Sequence, residues 1–563
     1  MKEMSGGQAL VSALENAGVK YVFGLLGSST MEVYDALHEH PTIRYIGVRD
    51  ERSGTHMADG YGRISGKPGV ILAGQAGPGA SNLVTGLIQA QLAFSPVVAI
   101  TGLVSTSHIG RDTLQEFDQH SLFTPITKRM WDVHRADRIP EYVREAVRYS
   151  TIGRKGPVLL NIPRDLFAQT VSVGEQWNSW DTVEHGAPSA AQTERIVAML
   201  RKARSPLIIT GGGMKSSRGS AALMEFSRAT KIPVAASAGH TDVLPSDYDL
   251  FFGQVGPRGN PVASKLTKEA DVVLAIGTRL GFNTTFFEDA FAPGVKLVHV
   301  DIDPLAIGRY YPIDLGIVAD AAGTVHALAD ALAANPLDPS AWQQRNAAAR
   351  EDKQALHRKR AELGASRAVP MRPEQIFAEL RSVMPRNGLI TLDAGTLCMQ
   401  ATDQLSYFEP PALMTPLDFG LVGMSFAAGL GGKLAAPERP VISVMGDGGF
   451  GIGMTEFTTA IQHNIPTVTV VLDNGCWGAE KAYQRDFYGK RYVGADIISA
   501  PYDEFARSCG GFGARANGPG ETADAVNQAL KSGKPAVVQV KVDPDAIVSF
   551  RSDSFKHRAG DKK

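Results

Sequence analysis

The chain has 563 residues, of which 44% are hydrophobic and 20% charged, and its formal net charge is −1. At roughly 100–200 residues per domain, that length holds about three to five globular domains with sizeable cores. The balanced charge gives no electrostatic case for nucleic acid or an anionic membrane as partner, and no run of about 18 apolar residues offers a transmembrane helix.

The opening MKEMSGGQALVSALENAG reads as a helix with polar positions throughout, without the apolar core of a signal peptide. Apolar, β-branched runs separated by helical patterns follow: 21–27, 69–75, 96–102 and 157–163. This alternation predicts βαβ units and a parallel sheet. The block closes near Phe167, and the polar stretch 171–190 reads as a linker. A second set of strands is expected at 206–213, 233–239, 271–280 and 297–304. A charged helix over 340–366 leads to a third set at 388–395, 440–449, 466–475 and 535–544. The fold class is therefore α/β, with three doubly wound parallel-sheet domains. Cys398, Cys476 and Cys509 are widely spaced and form no CxxC pattern, which points to a reducing cytoplasm.

Parallel sheets present ligand-binding loops at the carboxyl ends of their strands. The strand near 440 ends in Gly446-Asp447-Gly448-Gly449, and the next ends in Asp473-Asn474. The spacing from Asp447 to Asn474 fits one crossover and one strand, so both side chains emerge at one sheet edge. A carboxylate and an amide oxygen there suit Mg²⁺, which shares its shell with phosphates. The glycines let main-chain N–H groups approach a diphosphate, and a helix start expected near 451–455 adds its dipole. A GDG alone is an ordinary strand–turn–helix; the Asn after the next strand makes it specific.

This pairing resembles the binding motif of thiamine-diphosphate (ThDP) enzymes. The resemblance implies Asp447, Asn474 and the carbonyl of Cys476 as metal ligands. It places Glu51, in VRDERSGTHMADGYGR (48–63), at the position of the carboxylate that activates the cofactor, a task suited to a buried acid of raised pKa. Taken alone, Glu51 reads as one member of the charged run 49–52. The segments GQAGPGASN (74–82) and LQEFDQ (114–119) also match in order. They imply Gln115 near the thiazolium and Pro78 and Gly79 in the loop beside the substrate. In GLVGMSFAAGLGG (420–432), Met424 matches the apolar prop that bends the cofactor, and the carbonyl of Val422 would accept from its amino group. Gly395 and Thr396 match a second diphosphate loop.

The resemblance spans nearly the whole chain, in the acetolactate synthase order: pyrimidine-binding domain 1–170, central domain 190–340, diphosphate-binding domain 366–550. The stretch Trp477–Tyr488, a WGAEKxxQxDFY pattern, resembles sulfoacetaldehyde acetyltransferases, whereas MEVYDAL (31–37) reads more like acetolactate synthase, and Arg111, Phe117 and His120 depart from the sulfoacetaldehyde pattern. The implied reaction converts sulfoacetaldehyde and phosphate to acetyl phosphate and sulfite. The alternative is a carboligase or decarboxylase acting on pyruvate or another 2-oxo acid. Lys481, Arg485 and Arg111 are candidates for an anionic substrate; Lys481 and Arg485 also read as a solvated helix face. Gly211–Gly213 and Gly277–Arg279 lie at strand ends without a full GxGxxG, which leaves FAD or a nucleotide on the central domain open. A homodimer or homotetramer is expected, because in this family the first domain of one subunit meets the third domain of its partner. A catalytically silent regulatory subunit is the reading from another class; the intact Glu51, Asp447 and Asn474 argue against it.

Overall fold

Each of the twelve apolar runs contains a strand, and each set of four is completed by two more strands at the sheet edges. In the computed structural model of the chain, residues 2–174, 183, 185–257, 259–287, 290–555 and 557 are described. Among them are three six-stranded sheets in which every neighbouring pair is parallel.

The first sheet runs, edge to edge, Arg44–Gly47, Tyr21–Leu25, Gly69–Ala73, Val97–Leu103, Val158–Pro163, Arg129–Asp132. Numbered in chain order, that is 2-1-3-4-6-5. The third sheet repeats this order with Leu413–Met414, Leu389–Leu392, Val441–Gly446, Val468–Asp473, Ala536–Lys541 and Phe512–Ala516. The middle sheet has the order 3-2-1-4-5-6. Alternate residues of the first sheet enter two different cores: Ile71, Ala73 and Ala99 one, Val70, Leu72 and Val98 the other. Both faces are therefore covered, as a parallel sheet requires.

The chain start pairs where a linker was expected to begin: Lys2–Ser5 runs antiparallel to Thr170–Val173. Residues 175–182 and 184 of the expected linker lie outside the described residues. The charged helix is Ser340–Gly364. Among the described residues, no helix is long and apolar enough to cross a membrane.

The first and third domains share one apolar core. It includes Phe23, Met57 and Tyr61 from the first and Phe426, Phe450 and Phe457 from the third. Helix Glu51–Ser65 crosses helix Ser425–Ala435 at glycines, where a Cβ on Gly60 would lie 2.1 Å from the Ala428 carbonyl oxygen and one on Gly431 1.9 Å from that of Met57. Only glycine permits this approach, and it sets the Glu51 helix directly on the third domain.

Candidate active site

In an open parallel sheet, ligands enter where the strand order reverses. In the third sheet that point lies between Leu389–Leu392 and Val441–Gly446. The loops leaving it carry Asp393–Thr396 and Gly446–Gly449. The helix begins at Asp447 and runs to Gly453, so GDGG is its first turn rather than a loop ahead of it. This corrects the start expected near 451–455. A Cβ at Gly448 would lie 2.7 Å from the Trp477 ring and one at Gly449 2.3 Å from Asp393 Oδ2, so glycine lets this turn pack against both.

Asp447 is buried, and burial raises its pKa. Its Oδ1 accepts from the Gly448 N–H at 3.0 Å and its Oδ2 from the Gly475 N–H at 2.9 Å, which ties it to the turn after Asn474. Asn474 and Cys476 are also buried. Thr396 reaches the same place: a Cβ on Gly478 would lie 3.2 Å from Thr396 Oγ1 and 3.3 Å from Asn474 Nδ2. Gly395 has φ +127° and, like Gly446, open space where a Cβ would stand. The single hydroxyl proton of Ser499 faces carboxylate oxygens of both Asp447 and Asp473. One proton cannot serve both at once; Asp473 also accepts from Gln539 Nε2 at 3.0 Å and lies 3.4 Å from Lys541 Nζ. A carboxylate, an amide oxygen and a main-chain carbonyl form an all-oxygen set fitted to a hard divalent cation, and the open glycine loop above them fits a diphosphate.

Glu51 is 2% exposed at the first turn of its helix. The Asp50 carboxylate caps that turn, accepting from the N–H groups of Arg52 at 2.7 Å and Ser53 at 3.4 Å. The segment before it is fastened to the third domain. The Gly47 N–H donates to His463 Nε2 and the Arg49 N–H to Glu456 Oε1, both at 2.9 Å. Burial pushes the Glu51 pKa up, partly offset by Asn82, whose Nδ2 donates to Oε2 at 2.9 Å. Gly79 lies against the carboxylate; a Cβ there would be 2.9 Å from Oε1. Pro78 is exposed in the same short helix, Gly77–Asn82. Gln115 has φ +71°, and its carbonyl packs on Gly77. Its loop therefore borders the Glu51 pocket through its backbone.

Met424 is buried at the start of helix Ser425–Ala435, and the Val422 carbonyl accepts from Arg52 Nη2 at 2.8 Å.

Comparison with known proteins agrees with this geometry. Residues 4–122 match the thiamine pyrophosphate enzyme N-terminal TPP binding domain, 193–328 the central domain and 393–540 the C-terminal TPP binding domain. A probable acetolactate synthase large subunit of Methanocaldococcus jannaschii is 32% identical, the alignment covering 96% of this chain and 92% of that protein. The chain belongs to the thiamine pyrophosphate enzyme family. Among other relatives of this ThDP enzyme, acetolactate synthase isozyme 2 large subunit of Escherichia coli is 32% identical, with 96% of each chain covered. A sulfoacetaldehyde acetyltransferase of Alcaligenes xylosoxydans xylosoxydans is 30% identical, covering 98% of this chain and 95% of that one. The protein is thus a ThDP-dependent acyltransferase or carboligase of the acetolactate synthase family.

Lys481 and Arg485 lie on helix Gly478–Phe487, but each has a partner. Lys481 Nζ is 2.6 Å from the exposed Asp496, and Arg485 Nε is 2.8 Å from Asp486 and its Nη2 3.1 Å from the Ile547 carbonyl. Arg111 is exposed on a loop whose N–H groups at Gly110, Arg111 and Thr113 converge on the Glu116 carboxylate. In the central domain, the Gly213 N–H donates to the Gly277 carbonyl at 3.0 Å, so the two glycine loops touch across that sheet's reversal point.

The sequence marked no role for Asn82, Arg52 or Ser499, and it placed Asp393 only at the head of the second diphosphate loop, 393–396. Asn82 was within reach, since it closes the GQAGPGASN run. Ser499 lies 25 positions beyond Asn474 in an irregular segment, and nothing in its surroundings marks it.

Proposed function

We propose that the enzyme converts sulfoacetaldehyde and phosphate to acetyl phosphate and sulfite, with ThDP and Mg²⁺ as cofactors, as a cytoplasmic homodimer or homotetramer. Atoms and charge balance: the sulfoacetaldehyde anion and hydrogen phosphate give the acetyl phosphate dianion and hydrogen sulfite. The observation that carries the ThDP assignment is the meeting of Asp447, Asn474 and Thr396 at one reversal point. The polar Trp477–Tyr488 stretch favours the sulfonate substrate.

When bound, ThDP supplies a carbon nucleophile that attacks carbonyls and departs after the bond rearrangement. Asp447, Asn474 and the Cys476 carbonyl would hold Mg²⁺, and Gly395, Thr396, Gly446, Gly448 and Gly449 the diphosphate. Val422 and Met424 would orient the pyrimidine. Glu51 would exchange a proton with a ring nitrogen, and burial keeps that proton from water. Gln115, Pro78 and Gly79 would border the reacting carbonyl. The reaction needs no redox cofactor, so FAD has no step in it.

A second reading, a carboligase or decarboxylase acting on pyruvate or another 2-oxo acid, draws on the acetolactate synthase relatives. One assay separates the two. Protein loaded with ThDP and Mg²⁺ should release sulfite and form acetyl phosphate from sulfoacetaldehyde and phosphate. Release of CO₂ from pyruvate without sulfite or acetyl phosphate formation would replace the first reading with the second.

Arg111, Lys481 and Arg485 are proposed to receive the sulfonate or the phosphate. Asp496 is exposed, so an incoming anion competes with a solvated partner for Lys481. Lys481→Met and Arg485→Met should each raise KM for the anionic substrate about tenfold, the scale of one charge-assisted hydrogen bond. ThDP affinity should stay within about threefold, well below that scale. Unchanged KM for sulfoacetaldehyde and phosphate in both variants would remove these residues from the site.

The proposed dimer draws on the family resemblance, in which the first domain of one subunit meets the third domain of its partner. Sedimentation at assay concentration should give a dimer or tetramer, with activity lost on dilution to monomer. A fully active monomer would refute the assembly.

A further inference from the structure

We propose that Asp393 is a positioning residue that locks the Val422–Ser425 turn to the GDGG helix, so that both ends of the cofactor meet one rigid platform. This rests on the reading above, in which Val422 and Met424 orient the pyrimidine and Gly446–Gly449 hold the diphosphate. The carboxylate lies directly beyond strand Leu389–Leu392 and is 2% exposed. Its own N–H donates to the Val444 carbonyl at 3.1 Å, which fixes its height against strand Val441–Gly446.

Three consecutive N–H groups converge on it. Gly423 donates to Oδ2 at 2.8 Å, Met424 to Oδ1 at 2.9 Å and Ser425 to Oδ1 at 3.3 Å. On its other side the carboxylate touches the diphosphate motif. A Cβ on Gly449 would lie 2.3 Å from Oδ2, so only glycine leaves room for it. The same turn is gripped from its carbonyl side, where Arg52 Nη2 reaches the Val422 oxygen at 2.8 Å. Gly423 itself has φ +88°, a conformation that side chains disfavour.

Burying this acid is costly: despite three N–H donors, desolvation holds its pKa up to about 6. The cost is offset by what it organises. An ordinary helix cap would need to touch only the start of helix Ser425–Ala435. Asp393 instead touches two separate segments, the turn that orients the pyrimidine and the helix that holds the diphosphate.

Asp393→Asn keeps the size, removes the charge and sets an NH₂ group against the Gly423 N–H. In the cofactor-free protein, amide hydrogen exchange over residues 423–425 should accelerate about ten- to a hundredfold, the effect of losing a hydrogen bond to a charged group. Amides of the strands at 441–446 and 468–473 should keep wild-type rates. In the loaded enzyme, kcat should fall about tenfold or more while KM for the carbonyl substrate moves less than about threefold, as expected when orientation rather than substrate binding is lost. Gly449→Ala displaces the same carboxylate from the other side and should reproduce the local exchange. Unchanged exchange at 423–425 in both variants would overturn the proposal, and so would acceleration spread evenly over the third domain. Should the wild-type protein fail to bind ThDP in calorimetry, the functional reading falls, while the cofactor-free exchange measurement still decides whether Asp393 locks the turn.

Discussion

Glu51→Gln should bind ThDP with near wild-type affinity and lose about a hundred- to ten-thousandfold in kcat, the range for removing a positioned acid–base group. The substitution keeps the shape that Gly79 accommodates and can keep a hydrogen bond with Asn82 through its oxygen. What it removes is a carboxyl group able to take up and return a proton. Burial raises the Glu51 pKa, so the group holds a proton more readily than an exposed glutamate does, as proton exchange with a ring nitrogen requires. The Asp50 cap and the bonds from Gly47 and Arg49 to His463 and Glu456 fix its backbone. A glutamine is then held in the same place, and lost activity reads as lost chemistry rather than lost geometry. ThDP affinity by calorimetry and kcat on the same preparation check this. A Glu51→Gln enzyme within about threefold of wild-type kcat, far inside the usual acid–base range, would show that another group moves the proton.

Asp447→Ala should weaken ThDP binding by about a hundredfold or more in the presence of Mg²⁺, because a diphosphate facing buried carboxylates without its cation is repelled. The fold should survive. Removing Asp447 leaves Ser499 to donate to Asp473 alone and relieves the crowding of negative charge around one hydroxyl. Against that relief stand the lost bonds from the Gly448 and Gly475 N–H groups, so lower cofactor affinity with a cofactor-free melting temperature within about 5 °C of wild type is the signature of a ligand residue. Calorimetry showing unchanged affinity for ThDP with Mg²⁺ would remove Asp447 from the metal site.

The interior of each sheet was legible in the sequence, and its borders were not. Within the three six-stranded sheets, the six strands that the apolar runs did not reveal are all edges: Arg44–Gly47, Arg129–Asp132, Phe251–Gln254, Leu315–Val318, Leu413–Met414 and Phe512–Ala516. An interior parallel strand is covered on both faces and flanked on both sides, so it reads as an unbroken apolar run, as Val272–Ile276 does. An edge strand has one open side and carries polar residues, as in Arg129–Asp132, or shrinks to two residues, as in Leu413–Met414. Pattern reading therefore finds the strands whose carboxyl ends carry the motifs and misses those that border them.

The site divides in the same way. Asp447 and Asn474 stand at a spacing that carries information, whereas Glu51 was reached only through the family resemblance of 48–63. Asp393, Arg52 and Ser499 act through contacts between distant segments, such as Arg52 with Val422, that no local pattern encodes. Lys481 and Arg485 show the converse. Their helical spacing was legible, but the pairing of Lys481 with Asp496 joins a helix to a loop 15 residues on and appears only in the fold.

With ThDP bound, the enzyme should remove a proton from the cofactor carbon that attacks carbonyls. Deuterium exchange at C2 of ThDP, followed by NMR with the wild-type protein and Mg²⁺ and quenched in acid, measures that step without any assumption about substrate. Exchange at least about a hundredfold faster than in free ThDP is the expected result, at the lower end of what a positioned acid–base group provides. Exchange at the free-cofactor rate, with binding confirmed by calorimetry, would contradict it.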